Sequence, residues 1–277
     1  MFEKFLPKLK IGMLKPLPVI DNSAYEYYRL APPGVMLVMV AVGLAKFSKE
    51  DVERVFAPID VLVDQLMERE VDLIMQSGVP LPLLLGVEGH DRLIDHIAKR
   101  SGKPATSSVL GVVAAAKRLG LRRIAVASKW SEPMIRTLGE FFVRGGTEIV
   151  GFASEVLSPA QFQKIPIDDH MALAYELGRA ALTRHPDADG LYIGGGSWLS
   201  EPVCQALERE FGKPAISNPS AAVWDTLTRL GHWAPIPGRG VCSPRPKSRP
   251  IVASPVSSAN RACTPIVAWP CCLLAGR

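Results

Sequence analysis

The sequence predicts an α/β fold of two pseudo-symmetric, Rossmann-like lobes with parallel sheets. Three observations carry that expectation. The tetrapeptide Gly102-Lys103-Pro104-Ala105 recurs as Gly212-Lys213-Pro214-Ala215, each copy followed closely by serine. Each copy closes a unit of the same order, namely apolar strand, glycine turn, helix and tetrapeptide, and a second helix follows it. Valine- and isoleucine-rich strands alternate with amphipathic helices throughout, the pattern of parallel sheets covered on both faces.

In chain order, Lys10 to Leu14 reads as a short first strand ending at the turn Lys15-Pro16-Leu17-Pro18. Residues 21–34, with Tyr25, Tyr27 and Tyr28, read as a loop. Val35 to Val42 is a continuous apolar run, as in a strand buried on both faces. Ser48, with Asp51 three residues later, starts a helix to about Glu70, kinked or interrupted at Pro58. Strand Val71 to Met75 leads into the turn Gln76 to Pro80 and a helix from Glu88 to Arg100. A helix near Val109 to Leu119, a strand from Arg123 to Ala127 and a helix from Glu132 to Arg144 come next. Strand Glu148 to Phe152, loop Leu157 to Pro166 and helix His170 to Arg184 follow. The second unit runs from strand Gly190 to Ile193 through Gly194-Gly195-Gly196-Ser197-Trp198 into helix Glu201 to Phe211, then a helix near Ala221 to Leu230. This divides the chain into one lobe of residues 1–118 with 219–240, a second of 119–218, and a tail of 241–277.

At 277 residues and 48% hydrophobic content with 21% charge, the body is globular in composition. No apolar run reaches the length of a membrane span, and residues 1–10 lack the long apolar region of a secretory signal, so cytoplasmic residence is the expectation. The net charge of +5 arises in the tail, where Arg245, Lys247, Arg249, Arg261 and Arg277 face no acidic residue. The body is neutral and carries no concentrated basic footprint for nucleic acid. Four of five cysteines lie in the tail and only Cys204 in the body, with no CxxC or Cys/His ligand spacing, so no metal site is expected. The proline- and serine-rich tail has the composition of a disordered segment, either a natural extension or the product of a reading-frame change near residue 240.

Ligands in open α/β sheets bind beyond the carboxyl ends of the strands, so two facing glycine turns would enclose one small ligand. Gly194-Gly195-Gly196, ahead of a helix, could converge backbone N–H groups on an anion, or could simply make a tight turn. Lys15, after the first strand, is a candidate to bind a carboxylate or carry a proton, against the alternative of a solvated loop lysine. Ser197 and Ser77, beside the two turns, offer hydroxyls for ligand bonding or catalysis, though no histidine is near either in sequence. Ser107, Ser108, Ser217 and Asn218 follow the tetrapeptides as helix caps or cleft-rim residues. Trp130 is an apolar wall, an indole donor or a core side chain.

Ile11-Gly12-Met13, Gly78 with Gly86, the run from Gly120 to Ala127, Pro186 to Gly190 and Ala222-Val223-Trp224-Asp225 together resemble the arylmalonate decarboxylase and maleate isomerase group of the Asp/Glu racemase superfamily. The resemblance covers residues 10–240 in order. It implies an Asp/Glu racemase-like fold with a cofactor-free active site between the lobes, acting on a small carboxylate or dicarboxylate. In that group, racemases and isomerases place a cysteine at one or both turns. Decarboxylases keep one at the second turn, as the acid that protonates an enediolate, with hydroxyl and N–H donors holding the remaining carboxylate.

Against that pattern, Gly78 stands at the first cysteine position and Gly195 at the second. Val79 and Pro80 replace two hydroxyl residues, and Trp130 replaces a tyrosine. The resemblance therefore implies a decarboxylase, isomerase or racemase whose candidate catalytic residues are Ser197 and Lys15. Pro16, Ser77, Gly78, Val79, Trp130, Gly194, Gly195 and Gly196 would line the substrate site. The alternative is a non-catalytic relative that binds small organic acids and has lost the cysteines.

Overall fold

The structure, a computed structural model, describes residues 6–17, 22–43, 49–195 and 198–232. The tail of 241–277, with its expected disorder or altered frame, lies outside the described residues.

In chain order the first half is β1 (Leu9–Lys15), α1 (Asn22–Leu30), β2 (Val35–Ala41), α2 (Lys49–Met67), β3 (Leu73–Gln76), α3 (Pro80–Ser101) and β4 (Ala105–Ser107). After α4 (Ser108–Arg118) the second half repeats the scheme with β5 (Arg123–Ser128), α5 (Glu132–Arg144), β6 (Glu148–Ser154), α6 (Pro159–Phe162), α7 (Ile167–Arg184), β7 (Gly190–Ile193), α8 (Glu201–Phe211) and β8 (Ala215–Ser217), closed by α9 (Asn218–Arg229). Two four-stranded parallel sheets result, ordered β2-β1-β3-β4 and β6-β5-β7-β8. The identical order is the structural counterpart of the repeated tetrapeptide. In both copies the tetrapeptide glycine, Gly102 or Gly212, ends a helix in the left-handed conformation, and the alanine begins a short strand.

One face of the first sheet packs Leu14 and Ile74 against Ile59, Val63 and Leu66 of α2 and Leu93 and Ile97 of α3. One face of the second packs Ala127, Leu191 and Ile193 against Ala174 and Ala181 of α7 and Val203, Cys204 and Leu207 of α8. On the other faces the two linking helices change sides. Val109, Val112 and Ala116 of α4 join the core of the second sheet, with Ile124, Val126, Tyr192 and Ile216. Ala222, Val223 and Leu227 of α9 join the core of the first, with Ile11, Met13, Leu73 and Met75. The two helices cross at Gly111, where an added Cβ would lie 3.3 Å from Asp225 Cβ and 3.4 Å from the Ala221 carbonyl oxygen. Thr106 donates to the buried Asp225 carboxylate at 2.6 Å, tying the first sheet to α9.

The structure refines several expectations. Residues 21–34 contain a helix, because Glu26, Tyr27 and Leu30 share one buried face even though tyrosine, asparagine and serine dominate the segment. Val35 to Val42 forms an edge strand in which only Leu37 is fully buried, since it has one strand neighbour. The helix expected from Glu88 to Arg100 is the part of α3 beyond a bend at Gly86, φ +69°; a further helical part from Pro80 precedes the bend. The loop from Leu157 contains the short α6. The helix expected to be kinked or interrupted at Pro58 continues past that residue, with Ile59, Val63 and Leu66 beyond it buried completely. Among the described residues no helix is long and apolar enough to cross a membrane.

Candidate functional site

The first turn follows β3. The backbone N–H of Ser77 donates to the Leu14 carbonyl, so the turn emerges beside the end of β1. Gly78 has φ +91°, a backbone conformation that favours glycine. An added Cβ would meet Pro16 Cγ at 2.9 Å, so Pro16 closes the space over it. Three side chains hold the turn. Ser108 Oγ accepts from the Gly78 N–H at 2.9 Å. Gln76 Nε2 donates to the Ser77 and Gly78 carbonyls at 2.6 and 3.0 Å. Lys15 Nζ donates to Ser77 Oγ at 3.0 Å and to Ser23 Oγ on α1 at 2.5 Å. Lys15 is buried, so it belongs to the turn and is not a solvated loop lysine. Val79 is buried too, with its side chain in the core cluster that contains Leu83, Val109 and Trp130.

The second turn has the same plan. Gly194 N–H donates to the Ala127 carbonyl, as Ser77 does to Leu14. Gly195 has φ +127°. Asn218 Oδ1 accepts from its N–H at 3.3 Å, in the place that Ser108 holds at the first turn. Tyr192 donates its hydroxyl to the same oxygen, and burial pushes that phenol far up from its ordinary value. Trp130 lies on Gly194, where an added Cβ would meet its ring at 2.6 Å. Trp130 and Val79 belong to one core cluster with Val109 of α4 and Ala221 of α9. Gly196 and Ser197, expected as an anion-binding N–H and a catalytic hydroxyl, lie outside the described residues.

Two side chains at the second turn, Lys129 and Trp198, have no role in the sequence reading. An added Cβ at Gly195 would fall on Trp198 Nε1 and lie 3.3 Å from Lys129 Cε. Both side chains therefore occupy the space into which a thiol at this position would project. Lys129 Nζ sits 2.9 Å from the centre of the Phe162 ring and 5.2 Å from that of Trp198, a cation held on two aromatic faces. The Trp198 indole N–H is completely buried without a hydrogen-bond partner, and so is the Asn218 side-chain amide nitrogen. Superposing the two strand registers would have pointed to Lys129. Lys15 and Ser128 end the equivalent strands β1 and β5, one residue beyond the Leu14 and Ala127 carbonyls that the two turns bond, so Pro16 and Lys129 are counterparts. The serines and asparagine after the tetrapeptides divide their work. Ser107 and Ser217 cap α4 and α9, while the next residue of each helix holds a turn.

Two buried ionisable groups flank this region. Glu26 of α1 accepts from the Glu201 N–H at 2.8 Å and from Ser200 Oγ at 3.4 Å, capping α8, whose own Ser200 makes no side-chain cap. Burial raises its carboxyl to about 7. His90 of α3 bonds Ser107 Oγ through Nε2 at 2.8 Å, and burial lowers it to about 4. Cys204 faces the α8 core, and burial pushes its thiol well above the ordinary value, which leaves it a poor nucleophile. Among the described residues no group of three or more His, Cys, Asp or Glu side chains could hold a metal ion.

A family model described as arylmalonate decarboxylase matches residues 22–242. The arylmalonate decarboxylase of Bordetella bronchiseptica is 24% identical over 238 residues, which cover 83% of this chain and 94% of that relative. The fold is similar to that of a glycine-to-cysteine variant of arylmalonate decarboxylase in its sulfate ion associated form, with TM-score 0.73 and 21% identity over 84% of this chain and 98% of that one. It is equally similar to the maleate isomerase Iso from Pseudomonas putida, with TM-score 0.73 and 18% identity over 84% of this chain and 97% of that one.

Proposed function

The chain belongs to the arylmalonate decarboxylase family, and on that premise we propose that it is a cofactor-independent enzyme acting on a small dicarboxylate between its two glycine turns, by decarboxylation or by isomerisation or racemisation. The observation that carries this reading is the matched pair of turns. Gly78 and Gly195 each follow the third-position strand of their sheet, each has positive φ, and each has its N–H anchored by the first residue of the linking helix that follows the fourth strand, α4 or α9. Such a frame holds a planar ligand from both sides at once.

Lys15 is the proton source in this reading. For a malonate-type substrate, the bond between the α-carbon and one carboxylate breaks and carbon dioxide leaves. The electron pair stays on the α-carbon and spreads into the remaining carboxyl as an enediolate. An ammonium proton of Lys15 then passes to the α-carbon, and water restores it. The ammonium also offsets the charge that develops on the enediolate, which is the larger benefit of burying a cation there. Ser77, bonded to Lys15, fixes its direction. Pro16, Val79, Trp130 and Gly194 supply the apolar walls that keep water from the carbanion.

Proton NMR of the full chain in deuterated water with phenylmalonate, alkylated malonates and maleate tests this. The expected result is loss of carbon dioxide with one deuteron at the α-carbon, or cis–trans conversion of maleate. Absence of turnover with every acid overturns it and leaves a binding relative that has lost the reaction along with the cysteines.

A further inference from the structure

Resting on that reading of the cleft, we infer that α1 is a strap between the two glycine turns, and that Glu26 on it is a positioning residue that sets the start of α8 relative to Lys15.

Ser23, Glu26 and Tyr27 lie three and four residues apart on one face of α1, and each ties the helix to a different element. Ser23 Oγ accepts from Lys15 Nζ at 2.5 Å, beside the first turn. Glu26 accepts from the Glu201 N–H at 2.8 Å and from Ser200 Oγ at 3.4 Å, at the start of the helix that follows the second turn. The Tyr27 hydroxyl lies 2.9 Å from Thr226 Oγ1 of α9, the helix whose first residue pins Gly195. Tyr27 and Leu30 also share a core with Ala222, Val223 and Leu227 of α9. The strap is therefore seated on α9 and reaches toward both turns.

Capping alone does not account for Glu26. Helices α4 and α9 are capped by the serines that precede them, Ser107 and Ser217, both with extended backbone. Ser200 holds the same place before α8, but its backbone is helical, φ −100° and ψ −21°, and its side chain makes no cap. An extended serine there would serve the helix without burying an acid. The α8 N-terminus instead takes a carboxyl from the first half of the chain, on a residue only 2% exposed. Desolvation raises that carboxyl to about 7, so its ionised form is held at a cost. The titratable groups that face it are Glu201 and the Cys204 thiol, and neither carries positive charge. What this arrangement provides, and a local serine would not, is a fixed distance from α8 to α1, and so to the Lys15 that Ser23 holds.

That distance matters to proton delivery, where a misplacement of about 1 Å costs on the order of a hundredfold in rate. Removing Glu26 leaves Lys15, Ser77 and both glycines in the chain. The loss should therefore fall on kcat and spare KM.

The test uses the full chain with phenylmalonate and maleate as substrates. The Trp198 indole N–H in a nitrogen-15 correlation spectrum, assigned by its absence in Trp198→Phe, reports on the second turn. Glu26→Leu should lower kcat by about 10–100-fold with KM changed less than about threefold. Glu26→Gln keeps an acceptor for the Glu201 N–H and should restore kcat to within about threefold of the parent. Ser23→Ala should move the Trp198 signal when Glu26 is present and leave it unmoved in Glu26→Leu, a dependence that a connection through α1 produces. A Trp198 signal unmoved by Ser23→Ala, or moved equally in both backgrounds, overturns the strap. Turnover with unchanged kcat in Glu26→Leu overturns the positioning role and leaves the enzymatic reading standing. No turnover by the parent overturns the enzymatic reading, and the indole dependence then decides the strap by itself.

Discussion

Asn218 Oδ1 accepts a hydrogen bond from the Gly195 N–H at 3.3 Å, and Ser108 Oγ does the same for Gly78 at 2.9 Å, so each turn is pinned by the first residue of the helix that leaves its lobe. The two pins carry unequal loads. Ser108 serves one N–H, whereas Asn218 serves both Gly195 and the buried Tyr192 hydroxyl. Ser108→Ala should cost about 1 kcal/mol and Asn218→Leu about 2–4, because the second leaves two buried donors unmet. Urea denaturation of the two variants at one pH checks the ratio.

Restoring a thiol at the second turn should not be simple. Gly195→Cys places a Cβ at φ +127° and onto the Trp198 indole. A loss of about 2–4 kcal/mol is expected, from backbone strain and overpacking together. Gly195→Cys with Trp198→Ala should recover only the overpacking part, which is read from the difference in denaturation midpoints.

Lys15→Met should leave the fold in place while lowering kcat by about a hundredfold or more, since a buried side chain of similar length is kept but the proton and the charge are lost. Single-turnover carbon dioxide release, followed separately from deuterium incorporation, distinguishes a slowed proton delivery from a slowed bond cleavage. Lys15→Arg restores charge without the same proton and should recover cleavage more than protonation.

Glu26 and His90 oppose each other in pH. Glu26 is raised from 4.5 to about 7 by burial, so the folded state holds its proton more tightly and stability is lost as pH rises from 4.5 through 7. The groups facing it are Ser200, Glu201 and the Cys204 thiol. His90 is lowered from 6.5 to about 4, so its contribution is complete above 6.5 and is lost as pH falls toward 4. Asp91 and its partner Arg144 face that ring. Between 4.5 and 6.5 the two slopes cancel. Glu26→Gln should gain stability relative to the parent as pH rises across 4.5–7, by about 3 kcal/mol from a shift of that size. Chemical denaturation at pH 4.5 and 7 reads the difference, and an equal difference at both pH values contradicts it.

Thr106→Val should cost about 1–3 kcal/mol by removing the bond to the buried Asp225 carboxylate while Arg229 still holds the other side of it. Differential scanning calorimetry of the variant gives the value.

The doubled architecture was legible because its two copies share a tetrapeptide with a mechanical role, a left-handed helix cap followed by a strand. Helices such as Glu132–Arg144 and Glu201–Phe211 were legible from their amphipathic pattern. The three-residue strands at Ala105 and Ala215 were not, since three residues are too few to display a period. Helix α1 was hidden by residue types that favour turns, and only tertiary burial of Glu26, Tyr27 and Leu30 selects the helix. At the site, Lys15, Gly78 and Gly195 could be picked out by position after strands. Lys129 and Trp198 could not, because their importance comes from a space that a glycine leaves vacant, and a sequence records which residue is present without recording what fills the gap beside it.

The exchange of α4 and α9 between sheets has a consequence for how such a chain can be divided. A polypeptide of either half alone would carry a helix whose apolar face matches the other sheet, and its own sheet would lack a cover. Two copies of one half could trade these helices and bury both surfaces, the arrangement of a swapped dimer. The single chain is in effect that dimer joined end to end. Its two halves have been free to diverge, one turn keeping a serine pin and a lysine on hydroxyls, the other an asparagine pin and a lysine on aromatic rings.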